Sequence, residues 1–317
     1  MNILTATHFS TAQISQLESL PDVHVIRQND FQPKLAPTID VIMAWSPLAA
    51  KILAGPNRVK FIQTSSAGID YLPLAALDQQ KVLVAHAGGI HGDAIAQSVL
   101  GYILDFARYI THPQNRDPQN FWQGRIQRRV LYSVVNKNKR VLIYGTGHVG
   151  QAVSQLLRQI GLQTIGVNHS GHPAPEFTET IALATSKAQP PVADFIVNTL
   201  PLTNATQHFF AADFFARQPQ PPIFINVGRG PSVDTTALIA ALKNGQLAGA
   251  ALDVFEQELL PTDSPLWQAP NLLMTPHTTG TVDHVEDALF AIFYPNLQSF
   301  CQTGKLSVNQ VDLKLGY

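Results

Sequence analysis

Cysteine is almost missing from this sequence: Cys301 stands alone, so no disulfide framework and no thiolate metal site can be drawn from it. Charge is sparse as well. Only 14% of residues are charged and the formal net charge is −1, which excludes a polybasic nucleic-acid surface, while a hydrophobic content of 45% excludes disorder. No stretch offers the roughly 18 uninterrupted apolar residues of a membrane span. Met1 to Ser10 lacks the cationic start, apolar run and small-residue cleavage site of an export signal. These absences lead to the expectation of a soluble, cytoplasmic protein with no membrane or nucleic-acid partner. Histidines are present, among them His86, His91, His148 and His284, but no HExxH or paired Cys/His spacing organises them, so no metal is expected.

What remains is a chain of 317 residues, enough for about two domains of the usual 100 to 200 residues. Short apolar runs at Met1–Thr7, Val23–Arg27, Val41–Ala44, Val59–Thr64 and Val82–Ala85 read as buried strands of a parallel α/β unit. Ala94–Ile110 reads as a long apolar helix, and Thr111–Asn120, rich in Pro, Gln and Asn, as polar surface. The rhythm restarts with strands at Arg140–Tyr144 and Gln163–Val167 around a helix at Val149–Ile160. It continues with strands at Phe195–Asn198, Ile223–Asn226, Ala248–Leu252 and Leu272–Met274. Strands recurring between helices predict a parallel sheet covered on both faces. Val282–Phe300 reads as a last apolar helix, expected to pack back on the first unit.

Gly145-Thr146-Gly147-His148-Val149-Gly150 lies between an apolar strand and an amphipathic helix, the setting of a dinucleotide-binding turn. Gly145 would permit the tight turn, Gly147 would clear space for a pyrophosphate, and Gly150 would let helix and strand approach. The anion would rest on free N–H groups at the helix start. About 20 residues on, an NAD site usually ends its second strand in Asp or Glu. Asn168-His169-Ser170 stands there instead. Without a carboxylate, a 2′-phosphate meets no repulsion, and His169 and Ser170 could donate to it, which favours NADP(H) over NAD(H). The alternative is Asn168 hydrogen-bonding the 2′-hydroxyl of NAD, since the segment has neither Arg nor Lys.

Three further segments put chemistry-bearing side chains just after strands, where open α/β sheets bind ligands. They are Asn226-Val227-Gly228-Arg229-Gly230, Asp253-Val254-Phe255-Glu256-Gln257-Glu258, and Thr275-Pro276-His277-Thr278-Thr279-Gly280. With Ser66-Ala67-Gly68-Ile69-Asp70 and Asn198-Thr199-Leu200-Pro201-Leu202-Thr203, the chain resembles the D-isomer-specific 2-hydroxyacid dehydrogenase family over nearly its whole length.

That resemblance implies an α/β fold of two Rossmann-like domains with parallel sheets. The substrate domain would be discontinuous, formed by 1–97 and 281–317, and the cofactor domain would span 98–280. It implies that Arg229 binds the substrate carboxylate and carbonyl, that His277 is the acid/base, and that Glu258 pairs with His277. Leu200, Pro201, Val227 and Gly280 would line the cofactor, and Asp253 would meet the nicotinamide carboxamide unless it serves as a loop cap. Ser66, Ala67 and Gly68 would approach the substrate. Trp45 would cover its pocket, unless it is a core tryptophan.

The chemistry agrees with these roles. A fixed fork of guanidinium donors suits a carboxylate, and an imidazole, which titrates near neutrality, can move a proton in either direction. Glu256 is a rival carboxylate to Glu258. The implied activity is reduction of a small 2-oxoacid to the D-2-hydroxyacid by a homodimer. The alternative is a dinucleotide-sensing regulator that keeps the fold without turnover. Two departures from the family pattern stand out: Leu259 where proline is common, and Gln97 where glutamate is frequent.

Overall fold

In the computed structural model, short runs of apolar and β-branched residues become five strands early in the chain: β1 (Asn2–Thr5), β2 (His24–Arg27), β3 (Ile39–Met43), β4 (Phe61–Gln63) and β5 (Leu83–Ala85). Residues 1–111, 118–119, 122, 133–134 and 139–315 are described; most of the expected polar stretch Thr111–Asn120 lies outside them. The strands pair in parallel in the order β2-β1-β3-β4-β5. Side chains alternate across this sheet, as strand geometry requires. Leu4, Ile42, Ile62 and Val84 face one core, whereas Ile3, Val41, Met43 and Phe61 face another.

Local signals start the early helices. Ser10 and Gln13 form a reciprocal capping box ahead of α1 (Thr11–Glu18), and Ser46 caps α2 (Pro47–Ala54), whose first residue is proline. After α3 (Leu74–Gln79) comes α4 (Gly92–Arg108), which carries Ile95, Val99 and Ile103 on its buried face.

The later sheet holds seven parallel strands among the described residues: β6 (Arg140–Tyr144), β7 (Gln163–Asn168), β8 (Glu179–Ala182), β9 (Phe195–Asn198), β10 (Ile223–Asn226), β11 (Gly249–Leu252) and β12 (Leu272–Met274). Their order is β12-β11-β10-β9-β6-β7-β8. The chain therefore runs outward from β6 on one side and restarts at β9 on the other. The crevice at such a reversal is where open sheets receive ligands. The helices are α5 (His148–Gln159), α6 (Leu183–Ala188), α7 (Ala212–Ala216) and α8 (Thr235–Lys243). Apolar clusters cover both faces, with Val141, Ile143, Val153 and Leu157 in one and Leu142, Phe210, Phe224 and Leu238 in the other.

The last helix, α9 (Val285–Thr303), packs Leu289, Phe293 and Leu297 against Ile3 and Phe61 of the first sheet. Its Asn296 is fully buried and fully used: Nδ2 donates to Gln63 Oε1 and the Val308 carbonyl, and Oδ1 accepts from Ser307 and Val308 N–H. The chain divides into one unit of residues 1–90 with 282–317 and a second of 91–281. The first boundary falls seven residues ahead of the sequence-based position at 97/98, because α4 is one uninterrupted element packed on α5. No helix among the described residues is long and apolar enough to cross a membrane.

Candidate active site

β6 is apolar and buried up to Tyr144, and the backbone then turns at Gly145 with φ of +102°, a conformation that an L side chain rarely adopts. A Cβ there would also lie 2.5 Å from Thr199 Oγ1, which donates to the Tyr144 carbonyl at 2.9 Å. At Gly150 a Cβ would stand 2.0 Å from the Gly145 carbonyl, so only glycine lets α5 seat against the turn. Gly147 differs: it is the N-cap of α5, no side chain caps the helix from that position, and nothing lies within 4 Å of a Cβ built on it. An open cradle beside orphan N–H groups and the positive end of a helix dipole fits a dinucleotide diphosphate. Thr146, His148 and Val149 flank it.

At the end of β7, Asn168 is buried and spends its amide on its own turn. Its Nδ2 donates to the His172 carbonyl at 2.9 Å and to Thr146 Oγ1 at 3.3 Å, and its Oδ1 accepts from Gly171 N–H at 2.6 Å. His169 and Ser170 are exposed, and so is His172, which sequence reasoning passed over although it lies two residues beyond.

Arg229 follows β10, and a buried polar network fixes its backbone. Asn226 Nδ2 and Ser232 Oγ both donate to the Arg229 carbonyl, at 3.2 and 2.6 Å. Asn198, fully buried at the end of β9, donates to Asn226 Oδ1 and Ser232 Oγ and accepts from Leu200 N–H. Arg229 Nη1 donates to the Gly228 carbonyl at 2.8 Å. Leu200 and Val227 are buried beside this network and Pro201 is exposed. A Cβ on Gly230 would fall 1.8 Å from the Phe255 carbonyl, so the Arg229 segment lies directly on the backbone of the next loop.

That loop resolves the two rival carboxylates. Glu258 Oε2 lies 2.8 Å from His277 Nδ1, and its Oε1 accepts from Phe255 N–H at 3.0 Å, so the side chain is held at both oxygens. His277 sits at φ of +53° and is about half exposed, at 53%. With Nδ1 bound to Glu258, Nε2 is the nitrogen left to face a reactant.

Glu256 turns elsewhere: Oε1 meets His208 Nε2 at 2.6 Å and Oε2 accepts from Thr235 N–H at 2.8 Å, at the start of α8. Burial would raise its carboxyl, but hydrogen bonds from Thr235 and then from His208 outweigh burial and hold the pKa below the ordinary carboxylate value. A depressed folded-state value adds stability above the unfolded-state pKa, and that increment is lost as pH falls through the folded one. Glu256→Gln is therefore expected to lower Tm at pH 7 by about 1–3 °C, the small size reflecting solvent screening. The difference should vanish near pH ~2, where both forms are neutral; circular dichroism melts giving the same gap at both pH values would contradict this.

Asp253 is buried and its carboxylate is taken up by the loop that carries His277. Oδ1 accepts from Thr275 Oγ1 at 2.6 Å and Thr278 N–H at 2.9 Å, and Oδ2 accepts from the Thr279 N–H and hydroxyl. The Asp253 carbonyl accepts from His277 N–H. These bonds anchor the loop to Asp253. Tyr102 on α4 extends the anchor through its hydroxyl, bonded to Thr275 Oγ1. Burial, aided by the charge of Asp253, pushes its phenol above the ordinary value against the pull of the Thr275 bond, so the group stays a donor. Gly280 closes the loop, its carbonyl 2.7 Å from His91 Nδ1.

In the other unit, the loop after β4 is internally tied. Ser66 Oγ donates to the Gly68 carbonyl at 2.8 Å and lies 2.8 Å from the Tyr71 hydroxyl, with Ala67 between. Trp45, half-buried, packs on the core that includes Ile42 and Ile62. Sequence reasoning missed Tyr102, Thr275, Asn226 and Ser232. A hydroxyl on an apolar helix reads as core, and a polar residue at a strand end reads as turn.

Residues 100–279 match the family model described as "D-isomer specific 2-hydroxyacid dehydrogenase, NAD binding domain". The chain is 34% identical over 256 residues to glyoxylate/hydroxypyruvate reductase B of Citrobacter koseri, a match covering 80% of this chain and 78% of that protein. Among solved structures it resembles a phosphoglycerate dehydrogenase from Lactobacillus plantarum at 40% identity and TM-score 0.54, covering 98% of this chain and 100% of that one. It also resembles a D-isomer specific 2-hydroxyacid dehydrogenase from Xanthobacter autotrophicus Py2, in complex with NADPH and MES, at 27% identity and TM-score 0.80, covering 100% and 99%.

Proposed function

The chain belongs to the D-isomer specific 2-hydroxyacid dehydrogenases, NAD(P)-dependent oxidoreductases, and from that premise we propose that it reduces a small 2-oxoacid to the D-2-hydroxyacid with NADPH as the preferred donor. The observation that carries the reading is the Glu258–His277 pair, an imidazole fixed by a carboxylate that is itself fixed by backbone. Gly145, Gly147 and Gly150 would hold the dinucleotide, whose reduced nicotinamide would be the source of the hydride. The chain's residues do the rest. The Arg229 guanidinium holds the substrate carboxylate and polarises the adjacent carbonyl. As the carbonyl oxygen gains charge, His277 Nε2 gives it a proton, so carbon gains hydride and oxygen gains hydrogen. Glu258 keeps Nδ1 occupied and the ring aimed, and in the reverse direction the same imidazole takes the proton back.

A small oxoacid is supported by the relative named for glyoxylate and hydroxypyruvate, and NADPH by the missing carboxylate after β7 together with the NADPH-bound neighbour. The enzyme is proposed to be a cytoplasmic homodimer; a monomer mass by light scattering would contradict the dimer. The functional reading is tested by following NADPH and NADH oxidation with glyoxylate, hydroxypyruvate, pyruvate and bulky 2-oxoacids, with product chirality determined. Turnover should be fastest with NADPH and the small substrates and give the D-product. A clear preference for NADH would defeat the cofactor choice. Cofactor binding without consumption across the whole panel would instead identify a dinucleotide-sensing regulator.

A further inference from the structure

The segment after β7 displays imidazoles where an anion would ordinarily meet arginine or lysine. His169, Ser170 and His172 are exposed, and residues 168–178 contain no Arg or Lys. The display is rigid. Asn168 clamps the turn from beneath through Gly171 N–H and the His172 carbonyl. Gly171 sits at φ of +77° so close to β8 that a Cβ would stand 2.8 Å from Ala182 N, and Thr180 Oγ1 donates to its carbonyl. Within this turn Ser170 Oγ lies 2.9 Å from His172 Nδ1.

That contact has two proton arrangements with opposite consequences. When the imidazole is neutral with its hydrogen on Nε2, Nδ1 is an acceptor and the Ser170 hydroxyl turns inward to donate to it. When the imidazole is charged, Nδ1–H donates to Ser170 Oγ, and the serine hydrogen is released to point outward. Protonation thus adds a positive charge and frees a hydroxyl donor at the same place. Both suit a dianionic phosphate.

We propose that this chain holds the 2′-phosphate of NADP(H) through the proton-coupled Ser170–His172 pair, with His169 beside it, so that affinity for the phosphorylated cofactor, but not for NAD(H), falls as pH rises. The inference rests on the proposed use of NADP(H) and adds its regulation. The charged and titratable groups on the elements packed against this turn are Glu179 on β8, Glu176 before it, and His148 and Arg158 on α5, where Arg158 faces Glu176 at 3.7 Å. The ligand phosphate takes up its own proton near pH ~6, so the informative window lies above that value.

The test is calorimetric binding of NADP+ and NAD+ to the full chain, without substrate, at pH 6.5 and pH 8.5. The Kd for NADP+ is expected to rise about tenfold, the worth of one charge-assisted hydrogen bond, while that for NAD+ changes by less than about twofold. His172→Ala should weaken NADP+ at pH 6.5 and leave its Kd at pH 8.5 close to that of the wild type, where the charge is already absent. His172→Lys, whose charge persists, should keep NADP+ binding tight at pH 8.5 and flatten the dependence. Tight NADP+ binding with no change across the window, or an unchanged profile in a His169→Ala/His172→Ala double variant, overturns this inference and leaves the cofactor reading intact. NAD+ binding with no NADP+ binding at either pH overturns both.

Discussion

Replacing His277 should cut kcat by about 10²–10⁴-fold, the range that positioned general acid/base catalysis supplies. The choice of variant matters because residue 277 has φ of +53°. Alanine would lose the imidazole and add strain from the left-handed backbone. Asparagine accepts that conformation more readily and cannot shuttle the proton. Both variants should bind NADPH as the wild type does, since the glycine cradle lies on a different strand end, and both should melt within a few degrees of it. Single-turnover oxidation of NADPH by glyoxylate is the measurement. A His277→Asn enzyme turning over at near the normal rate would remove the acid/base assignment. Glu258→Gln should fall between, because Oε1 can still accept from Phe255 N–H while the charge beside the ring is lost.

Arg229→Ala should lower kcat/KM by about 10²–10³-fold, the cost of truncating one partner of a charge-assisted pair. Most of the loss should appear in KM, with a further drop in kcat where the guanidinium polarises the reacting carbonyl. Arg229→Lys restores the charge without the planar fork and should recover only part of the loss. The fold should survive either change, because Asn226 and Ser232 grip the backbone carbonyl of residue 229, which both variants keep. Kinetics over a glyoxylate concentration series decide; an unchanged KM in Arg229→Ala would place the substrate carboxylate elsewhere.

The interior of the fold was legible because its strands are written in uninterrupted apolar runs. β6, β9, β10 and β12 begin and end where the sequence pattern places them. β8 escaped because it is an edge strand whose Glu179-Thr180-Ile181-Ala182 carries one large apolar side chain. The glycine turn was legible from its spacing, and the structure gives two of its glycines a steric task, Gly145 and Gly150, while space around Gly147 is open. Residue partnerships were less so. Nothing in the spacing distinguishes Glu258 from Glu256; family resemblance selected the former, and the structure shows why the latter is unavailable, bound to His208 and Thr235. The sequence offered Asn168 as a partner for a ribose 2′-hydroxyl; its hydrogen bonds to Gly171 and the His172 carbonyl were not legible, because they depend on where those residues fold back. Tyr102 and Thr275 are 173 residues apart, so their contact exists only once α4 packs beside β12.

Gly230 has an implication for how such an enzyme could be altered. At that point two main chains touch with no side chain between them, one leading from Arg229 and the other toward Glu258, the residues proposed to hold the substrate carboxylate and to aim the imidazole. A shift on either side is passed on without any rotamer to absorb it. Substitutions in the two segments should therefore behave non-additively, and a search for new substrates that loosens one grip will unsettle proton delivery at the same stroke.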